Sequence, residues 1–156
     1  MRIGLISDTH GSLAAIRRAV AAAGPVDMWL HAGDYSQDAA KLAQVSGRPV
    51  TAVAGNCDGA ATAKIDEFID AGGKKIWLTH GHRYRAKERP GELSWWAGQY
   101  GVDVVVYGHS HIPDLRLDSV ILFNPGSAGY PRGGHQPTCG LLVIEEGRIE
   151  ASLLEI

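Results

Sequence analysis

The chain repeats one pattern, in which a short apolar run leads directly into a polar cluster that contains histidine, aspartate or asparagine. Five such runs occur in succession, and they lead into the stretches ISDTHG, LHAGDYS, VAGNCDG, WLTHGHRY and YGHSHIP. Apolar runs of this length, bounded by glycine, are typical of buried β-strands. In open α/β sheets, ligands bind beyond the carboxyl ends of the strands. The pattern therefore predicts an α/β protein whose functional site lies at one edge of a sheet.

The first half of the chain alternates strand and helix signals. We predict strands over 3–7, 28–31 and 50–54, and helices over 12–23 and 37–45. Ser12 and Ser36 are the expected N-caps, because a serine hydroxyl accepts a hydrogen bond from the free amides of the first helical turn. This strand–helix–strand order favours a parallel sheet with crossover helices.

The second half is richer in strand signals and carries one predicted helix, over about 92–100. Strands are predicted over 75–78, 102–107, 120–123, 141–145 and 149–155, with a hairpin turn at Glu146 and Gly147. Two sheets packed face to face, with helices outside, accommodate both halves. With 156 residues, the chain is most simply a single domain spanning 1–156.

Charge and cysteine content argue against several classes of protein. The formal net charge is −2 and no run of Lys or Arg exceeds a pair, so nucleic acid is not expected as a tight partner. Cys57 and Cys139 form no disulfide framework and fit a reducing compartment. The sequence shows neither a signal peptide after Met1 nor an apolar stretch long enough to cross a membrane. We therefore expect a cytoplasmic protein without a membrane partner.

The five polar clusters together are typical of a metal site, although each one alone is equally typical of a turn. They supply Asp-x-His, Gly-Asp, Gly-Asn, His-Gly-His and Gly-His-x-His in chain order. Carboxylate, amide and imidazole ligands without a set of thiolates favour Mn²⁺, Fe²⁺ or Zn²⁺ over a structural cysteine-bound zinc. So many ligands suit two metals about 3.5–4 Å apart that share one carboxylate. His31 lies inside its strand, where a core or ligand-supporting role is expected.

The motifs SDTHG, GD, GNCD, THGH and GHSH resemble those of the calcineurin-like metallophosphoesterase family. The resemblance covers about residues 2–129, with FNPGSAGYPR near its end, and is similar in length to the small, single-domain phosphodiesterase-like branch. It implies a four-layer αββα sandwich of two mixed sheets flanked by helices. That architecture agrees with the separate interpretation of the strand and helix signals.

The resemblance also implies a centre of two divalent ions. Carried over position by position, it assigns the first metal to Asp8, His10 and His111, the second to Asn56, His80 and His109, and the bridging role to Asp34. Manganese is the first expectation for the metal, and nickel, iron, zinc or magnesium are alternatives. The implied activity is phosphoester hydrolysis, most simply of a phosphodiester or other small phosphate substrate, by a metal-bridging hydroxide. Asn56 and His109 would also contact the phosphate.

Two positions depart from the family pattern. Where the family commonly has Gly-Asn-His, with that histidine near the leaving group, this chain has Cys57, so the identity of any general acid is open. We expect Cys57 to be a small packed residue, with a substrate contact or a nucleophile as the other interpretations. The family often has a second aspartate in Gly-Asp-x-x-Asp, where this chain has Gln37 and only Asp38 as a replacement.

Several alternatives stay open at this stage. A retromer subunit shares the fold, so a non-catalytic protein-binding scaffold is the main alternative, and a single-zinc hydrolase is another. The complete ligand set favours the enzyme. His82 has no assigned role beside His80. The stretch ELSWWAGQYG predicts a helix that packs on a sheet, in which Trp95 or Trp96 would mark a homodimer surface if exposed.

Overall fold

Ten strands and three α-helices make up the part of the chain that the computed structural model describes, residues 1–59 and 63–156. In chain order the elements are β1 (Arg2–Ile6), α1 (Leu13–Ala23), β2 (Met28–His31), α2 (Asp38–Ser46), β3 (Val50–Ala52), β4 (Asp66–Ala71), β5 (Lys74–Thr79), α3 (Gly91–Tyr100), β6 (Val104–Val106), β7 (Asp114–Leu117), β8 (Ile121–Asn124), β9 (Thr138–Glu145) and β10 (Arg148–Glu155). A short 3₁₀ helix, His82–Tyr84, follows β5.

The strands form two mixed sheets of five, in the orders β10-β9-β1-β2-β3 and β4-β5-β6-β8-β7. In the first sheet β1, β2 and β3 are parallel, and β9 runs antiparallel to β1. In the second sheet β5, β6 and β8 are parallel, and β4 and β7 flank them in the antiparallel sense. Each sheet therefore has a parallel centre, as α/β crossovers require, and the predicted pair of mixed sheets is confirmed.

Side chains alternate along each central strand and so divide the interior into three apolar cores. Leu5 and Leu78 belong to the core between the two sheets. Trp29 packs with helices α1 and α2 on the outer face of the first sheet, and Trp77 packs with α3 on the outer face of the second. Because successive side chains of a strand point to opposite faces, each central strand serves two cores. The predicted helix–sheet–sheet–helix layering is confirmed.

Two edge strands, β4 and β7, were not predicted from the sequence pattern. β4, with the sequence DEFIDA, and β7, with the sequence DLRL, pair with one neighbour each and lie at sheet edges. Edge strands commonly carry charged side chains, which lower the apolar signal of the strand. β3 ends at Ala52, earlier than predicted, and Val53 makes only an isolated bridge with Lys64.

Of the two predicted helix caps, one is confirmed and the other is wrong. The Ser12 hydroxyl accepts from the Ala15 N–H at 3.2 Å, so the cap of α1 is confirmed. The cap predicted at Ser36 is wrong, because α2 begins at Asp38 and the Ser36 hydroxyl donates instead to the Asp58 carboxylate at 3.0 Å. The predicted hairpin between β9 and β10 is confirmed, with positive φ at both Glu146 and Gly147.

Helix α3 packs on the second sheet through Leu93, which is fully buried, while 60% of Trp95 is exposed. The predicted packing of this helix on a sheet is thus confirmed, and a homodimer through Trp95 stays a prediction. Within the described residues, no helix combines the length and apolar character needed to span a membrane.

Gly4 tests the packing of β1 against the outer core. A Cβ at Gly4 would lie 2.5–2.7 Å from carbon atoms of the Trp29 indole. Because Trp29 is fully buried and cannot move aside, we expect Gly4→Ala to lower the free energy of unfolding by about 1–3 kcal/mol. Urea unfolding followed by circular dichroism measures the change.

Gly98→Ala is the matched control, because a Cβ at this helical position meets no atom within 4 Å. We expect it to leave the protein as stable as wild type or more so, since alanine favours the helix by up to about 1 kcal/mol. Equal effects of the two substitutions would contradict the packing argument.

Candidate metal centre

The five polar clusters lie in loops that follow strands β1, β2, β3, β5 and β6, and these loops meet at one place. Three of the loops come from the first sheet and two from the second. Together they form most of a pocket of about 230 Å³, which is lined by His10, Asp34, Asn56, Cys57, Lys87, His109, His111 and Arg132. Asp8 and His80 are fully buried beside it. The carboxyl-end edges of both sheets therefore contribute to one site.

The first group of candidate ligands consists of Asp8, His10, Asp34 and His111. Each offers one ligand atom, and these atoms all lie within 4.8 Å of one another. His111 Nε2 lies 3.2 Å from Asp8 Oδ1, and His10 Nε2 lies 4.0 Å from Asp34 Oδ2. Carboxylate oxygens and imidazole nitrogens at these separations can share one divalent ion.

The second group lies on the other side of Asp34. His80 Nε2 lies 3.3 Å from Asp34 Oδ1 and 3.1 Å from Asn56 Oδ1. The ring of His109 lies beside that of His80, with centroids 5.2 Å apart. Asp34 thus has one oxygen toward each group, which is the arrangement that a bridging carboxylate needs. The structure brings the seven predicted ligands together, and their assignment to particular ions stays a prediction.

Backbone carbonyls fix the orientation of two of the imidazoles. His80 Nδ1 lies 2.7 Å from the Ala32 oxygen, and His111 Nδ1 lies 2.6 Å from the Tyr130 oxygen. A carbonyl can only accept, so each Nδ1 donates its proton and leaves the Nε2 lone pair directed into the pocket. Metal-binding histidines are commonly held in this way.

Unsatisfied polar atoms show that the residues fit a cation. Asp8 Oδ1 and His10 Nε2 are buried and have no hydrogen-bond partner among the described residues. Buried polar atoms are normally paired, so two unpaired atoms in one cluster indicate a missing partner. Both are electron-pair donors when the carboxyl is ionised and the imidazole neutral. A divalent ion would satisfy both atoms.

The ionisation of Asp8 and His111 is coupled. Burial pushes the pKa of the Asp8 carboxyl upward, but the close approach of the His111 imidazole and the charges of His80 and His111 outweigh it and lower that pKa. Burial likewise disfavours protonated His111, yet the contact with Asp8 outweighs it and raises the pKa of His111. The carboxylate therefore attracts a positive charge to this position, and a metal can supply it in place of the proton.

Strained backbone is concentrated at the ligands. Positive φ angles, which L-residues other than glycine seldom adopt, occur at five of the candidate ligands: Asp8 (51°), His10 (46°), Asp34 (54°), His109 (71°) and His111 (61°). Strain of this kind costs about 1–3 kcal/mol per residue and persists only where surrounding contacts enforce it. The loops are therefore held in place by their packing.

Two glycines allow the ligand loops to approach each other. A Cβ at Gly108 would overlap the Ser7 hydroxyl and lie 2.9 Å from Asp8 Oδ2. A Cβ at Gly55 would overlap Asp34 Oδ1 and lie 2.5 Å from the Asp34 nitrogen. Glycine directly before His109 and Asn56 is thus a steric requirement of the centre.

His31 links two of the ligand loops from within the protein. The Gly33 N–H donates to His31 Nδ1 at 3.2 Å, so Nε2 carries the proton and faces the Thr9 hydroxyl at 3.0 Å. Thr9 in turn donates to Asp38 Oδ2 at 2.7 Å. Burial lowers the pKa of His31, which keeps the imidazole neutral in this chain of hydrogen bonds. His31 is buried, as expected, and supports the loops that carry Asp8 and Asp34.

Asp38 does not lie among the candidate ligands within the described residues. It is fully buried and accepts from Thr9, from the Gly11 N–H at 2.8 Å and from Lys41 Nζ at 2.8 Å. These contacts occupy both carboxylate oxygens of Asp38, and its substitution for the family's second aspartate stays a prediction. Asp38 anchors the loop after β1 to the start of α2.

Further supporting residues were not recognised from the sequence. Asp58 accepts from the N–H groups of Ser36 and Gly55, at 2.7 Å each, and so joins the loops after β2 and β3. The Ser127 hydroxyl donates to the Asp8 carbonyl at 2.8 Å and joins the loop after β8 to the site. The stretches GNCD and NPGS contain these residues, but a spacing pattern does not show what they bind.

Cys57 is exposed, which contradicts the expectation that it is a packed residue. Its backbone N–H donates to Asp34 Oδ1 at 2.9 Å. Partial shielding of the sulfur from water and the nearby Asp34 carboxylate raise the pKa of the thiol to about 11 in the metal-free protein. The side chain is therefore a protonated thiol at neutral pH, which does not favour a nucleophilic role.

His82, Lys87 and Arg132 complete the surroundings of the centre. His82 is half-buried, and its ring centroid lies 5.4 Å from that of His80 and 6.2 Å from that of His109. Among the described residues, the first group of candidate ligands, whose ligand atoms are close enough to share an ion, does not include His82. Lys87 and Arg132 line the pocket but were not predicted, because neither lies in a ligand motif.

Asp38→Asn tests whether the buried carboxylate holds the loop after β1. Burial raises the pKa of Asp38, but hydrogen bonds from Lys41, Thr9 and Gly11 outweigh it and lower that pKa. A carboxyl with a lowered pKa stabilises the fold above its unfolded-state pKa and loses that effect in acid. We expect Asp38→Asn to lower the free energy of unfolding by about 1–3 kcal/mol at neutral pH.

The difference from wild type should then shrink as the pH falls from about 5 to about 3. Urea unfolding of the metal-free proteins at several pH values measures this difference in the free energy of unfolding. Asp118→Asn removes the same charge from an exposed residue and should change stability by less than about 0.5 kcal/mol. A difference for Asp38→Asn that is independent of pH would show that the carboxylate charge is not the cause.

Comparison with known proteins shows the family to which the chain belongs. The model of the calcineurin-like phosphoesterase superfamily domain matches residues 1–147. The chain is 32% identical to Phosphodiesterase MJ0936 of Methanocaldococcus jannaschii, and the alignment covers 99% of this chain and 100% of that protein.

Solved structures share the fold. The crystal structure of a predicted phosphoesterase from Streptococcus pneumoniae superposes with a TM-score of 0.83 at 26% identity, over 99% of this chain and 91% of that one. Wild-type Vps29 of Entamoeba histolytica, complexed with zinc, has a TM-score of 0.76 at 22% identity and 98% coverage of both chains, which shows the fold alone. Because the family model matches nearly the whole length and the polar clusters meet in one pocket, the chain belongs to the calcineurin-like phosphoesterase superfamily.

Proposed function

We propose that the protein is a phosphodiesterase that depends on two divalent metal ions. The observation that carries this proposal is the position of Asp34, which has one oxygen near His10 of the first group and the other near His80 of the second. A carboxylate between two sets of imidazole and oxygen ligands suits a pair of metals. Membership of the phosphoesterase superfamily supports the same reaction class.

Asp8, His10 and His111 would hold one ion, Asn56, His80 and His109 the other, and Asp34 both. Two such ions, when bound, supply Lewis acidity toward phosphoryl oxygens and lower the pKa of water. Manganese is our first choice, with nickel, iron, zinc and magnesium as alternatives, since the donor set suits several ions.

The contribution of the chain itself is orientation. Buried Asp8 and His80 are fixed by their hydrogen bonds and cannot turn away from the pocket. Burial, together with His80, lowers the pKa of His109, so this imidazole is neutral and able to bind a cation at pH 7. Such preorganisation lowers the reorganisation needed during reaction.

Asn56 and His109 are the residues that we expect to contact the phosphate as well as a metal. Both line the pocket, and Asn56 is exposed to it. The Asn56 amide carries two N–H donors, of which one lies toward Cys57 Sγ at 3.6 Å. A phosphoryl oxygen is a better acceptor than a thiol, so the amide can donate to a bound substrate.

The chemistry at Cys57 favours diesters with good leaving groups. A cysteine thiol, with an ordinary pKa of about 8.5, is a weaker acid than the imidazolium that the family commonly places there. The leaving oxygen must then depart with little protonation. A diester also carries a single negative charge, which two metals neutralise readily.

A protein-binding scaffold of the same fold is the second candidate. Two observations support it: the similarity of the fold to that of Vps29 and the exposed side chain of Trp95. The two candidates differ in what the metal does. A scaffold would bind metal without hydrolysing phosphoesters, whereas an enzyme requires the metal for turnover. Hydrolysis, rather than metal content, therefore separates them.

Asp34→Asn tests the proposed function. Loss of the bridging charge should lower metal affinity by more than about 100-fold. This exceeds the 10–100-fold loss that is typical when a residue that only hydrogen-bonds to a metal ligand is changed. Elemental analysis and calorimetric titration give the metal content and affinity. Turnover is measured with a panel of phosphomonoesters and phosphodiesters in the presence of Mn²⁺, Ni²⁺, Mg²⁺ or Zn²⁺. We expect the wild-type protein to hydrolyse diesters and the variant not to do so.

Asp118→Asn, which removes one exposed carboxylate, should retain wild-type metal content and turnover. Two ions retained by Asp34→Asn would overturn the bridging role. A wild-type protein that binds ions but hydrolyses nothing in the panel would favour the scaffold.

Cys57→Ala tests whether the thiol takes part in the reaction. Because the thiol is protonated at neutral pH and the ligands lie elsewhere, we expect the variant to keep kcat/KM for bis(p-nitrophenyl) phosphate within about threefold of wild type. The hydrolysis of this activated diester is followed by p-nitrophenolate absorbance. A complete loss of turnover, with metal content unchanged, would show that Cys57 acts chemically.

A further inference from the structure

Two cationic side chains line the metal pocket without belonging to the ligand set. Lys87 and Arg132 share the pocket with His10, Asn56 and His109. Lys87 lies between the 3₁₀ helix and α3, in the segment that follows His80, whereas Arg132 lies in the loop between β8 and β9. The two cations therefore reach one pocket from loops on different parts of the fold.

The loop of Arg132 is joined to a ligand by backbone hydrogen bonds. The Arg132 N–H donates to the His111 carbonyl at 3.2 Å, and the Arg132 carbonyl accepts from the His135 N–H at 3.2 Å. The Tyr130 carbonyl of the same loop accepts from His111 Nδ1. The backbone of Arg132 is thus fixed beside the first group of ligands, while the residue as a whole is exposed.

Neither cation has a carboxylate within ion-pair distance among residues 1–59 and 63–156. By contrast, Lys41 pairs with Asp38 and Arg116 pairs with Asp114. A lysine and an arginine at a pocket mouth that bind no protein anion are available for a ligand anion.

A second cavity of about 260 Å³ adjoins the metal pocket at Lys87, which lines both. Pro90, Ile112 and Pro113 give it an apolar lining, and its Arg116 is paired with Asp114 at 2.9 Å, so Lys87 is the cation of this lining without an ion pair among the described residues. A phosphoester bound at the metal centre therefore has room for a substituent that passes Lys87. Apolar walls beside a cation suit a ring that carries an anionic group.

The charge of the pocket exceeds what a simple diester requires. The scissile phosphate of a diester carries one negative charge, which the metal centre itself neutralises. Lys87 and Arg132 add two positive charges. We propose that Lys87 and Arg132 form a subsite for a second anionic group, so that the preferred substrates are phosphodiesters whose non-leaving arm carries a carboxylate or a phosphate. This inference rests on the proposed function and names its substrate class.

Three diesters with one leaving group test the subsite. p-Nitrophenyl phenyl phosphate has a neutral arm, and its 3-carboxyphenyl and 3-phosphonophenyl counterparts carry the added anion. For the wild-type protein we expect kcat/KM to be about tenfold higher for the two diesters with charged arms than for the diester with the neutral arm. A charge-assisted hydrogen bond contributes an effect of about this size. Comparison of the carboxylate and phosphonate arms tells which anion the subsite prefers.

The double variant Lys87→Met and Arg132→Gln should reduce the ratio of charged-arm to neutral-arm kcat/KM to about one. The control variant Arg17→Gln and Arg18→Gln removes the same two charges from exposed positions on α1 and should keep the wild-type ratio. Equal loss of preference in both variants would show that only the overall charge matters, and would overturn the subsite.

Binding of benzylphosphonate and 3-carboxybenzylphosphonate to the metal-loaded protein gives a second measurement that does not depend on turnover. The carboxylate should strengthen binding to wild type and to the α1 control, but not to the variant at Lys87 and Arg132. Turnover of all three diesters without any preference would overturn this inference and leave the proposed function standing. Failure to hydrolyse any of them, with every metal, would overturn both.

Discussion

The contact between Asp34 and His80 joins the two halves of the site, because Asp34 follows a strand of the first sheet and His80 follows a strand of the second. Their 3.3 Å separation exists only when the apolar core between the sheets is packed. Gly55 lies against Asp34 because the loops after the neighbouring strands β2 and β3 are adjacent in the first sheet. The inter-sheet core therefore sets the spacing of the candidate ligands as well as the stability of the fold.

A centre built in this way has an energetic cost. Five candidate ligands have positive φ, and Asp8 Oδ1 and His10 Nε2 are buried without hydrogen-bond partners in the described ranges. The surrounding network compensates: His31, Thr9 and Asp38 connect the first two loops, and buried Ser127 connects the loop after β8. Bound metal would add to that stability, because it binds only the folded arrangement.

Much of the fold and of the ligand set was predictable from the sequence. Buried strands such as β1 and β6 stand out because both of their faces are apolar, and the polar clusters lie directly after them. Edge strands β4 and β7 were not predictable, since a strand with one partner and charged side chains has no strong pattern. Asp38 illustrates a further limit, because its hydrogen bonds with Thr9 and Gly11 depend on how the start of α2 packs against the loop after β1.

The sequence by itself determined the layered α/β fold and the order of the ligand clusters, because apolar periodicity and residue type are local properties of the chain. Only the tertiary structure decided that Cys57 is exposed, that Asp38 supports a loop, and that Lys87 and Arg132 share the metal pocket. These facts depend on contacts between segments far apart in the chain. The packing of the two sheets against each other creates such contacts, and no local pattern records them.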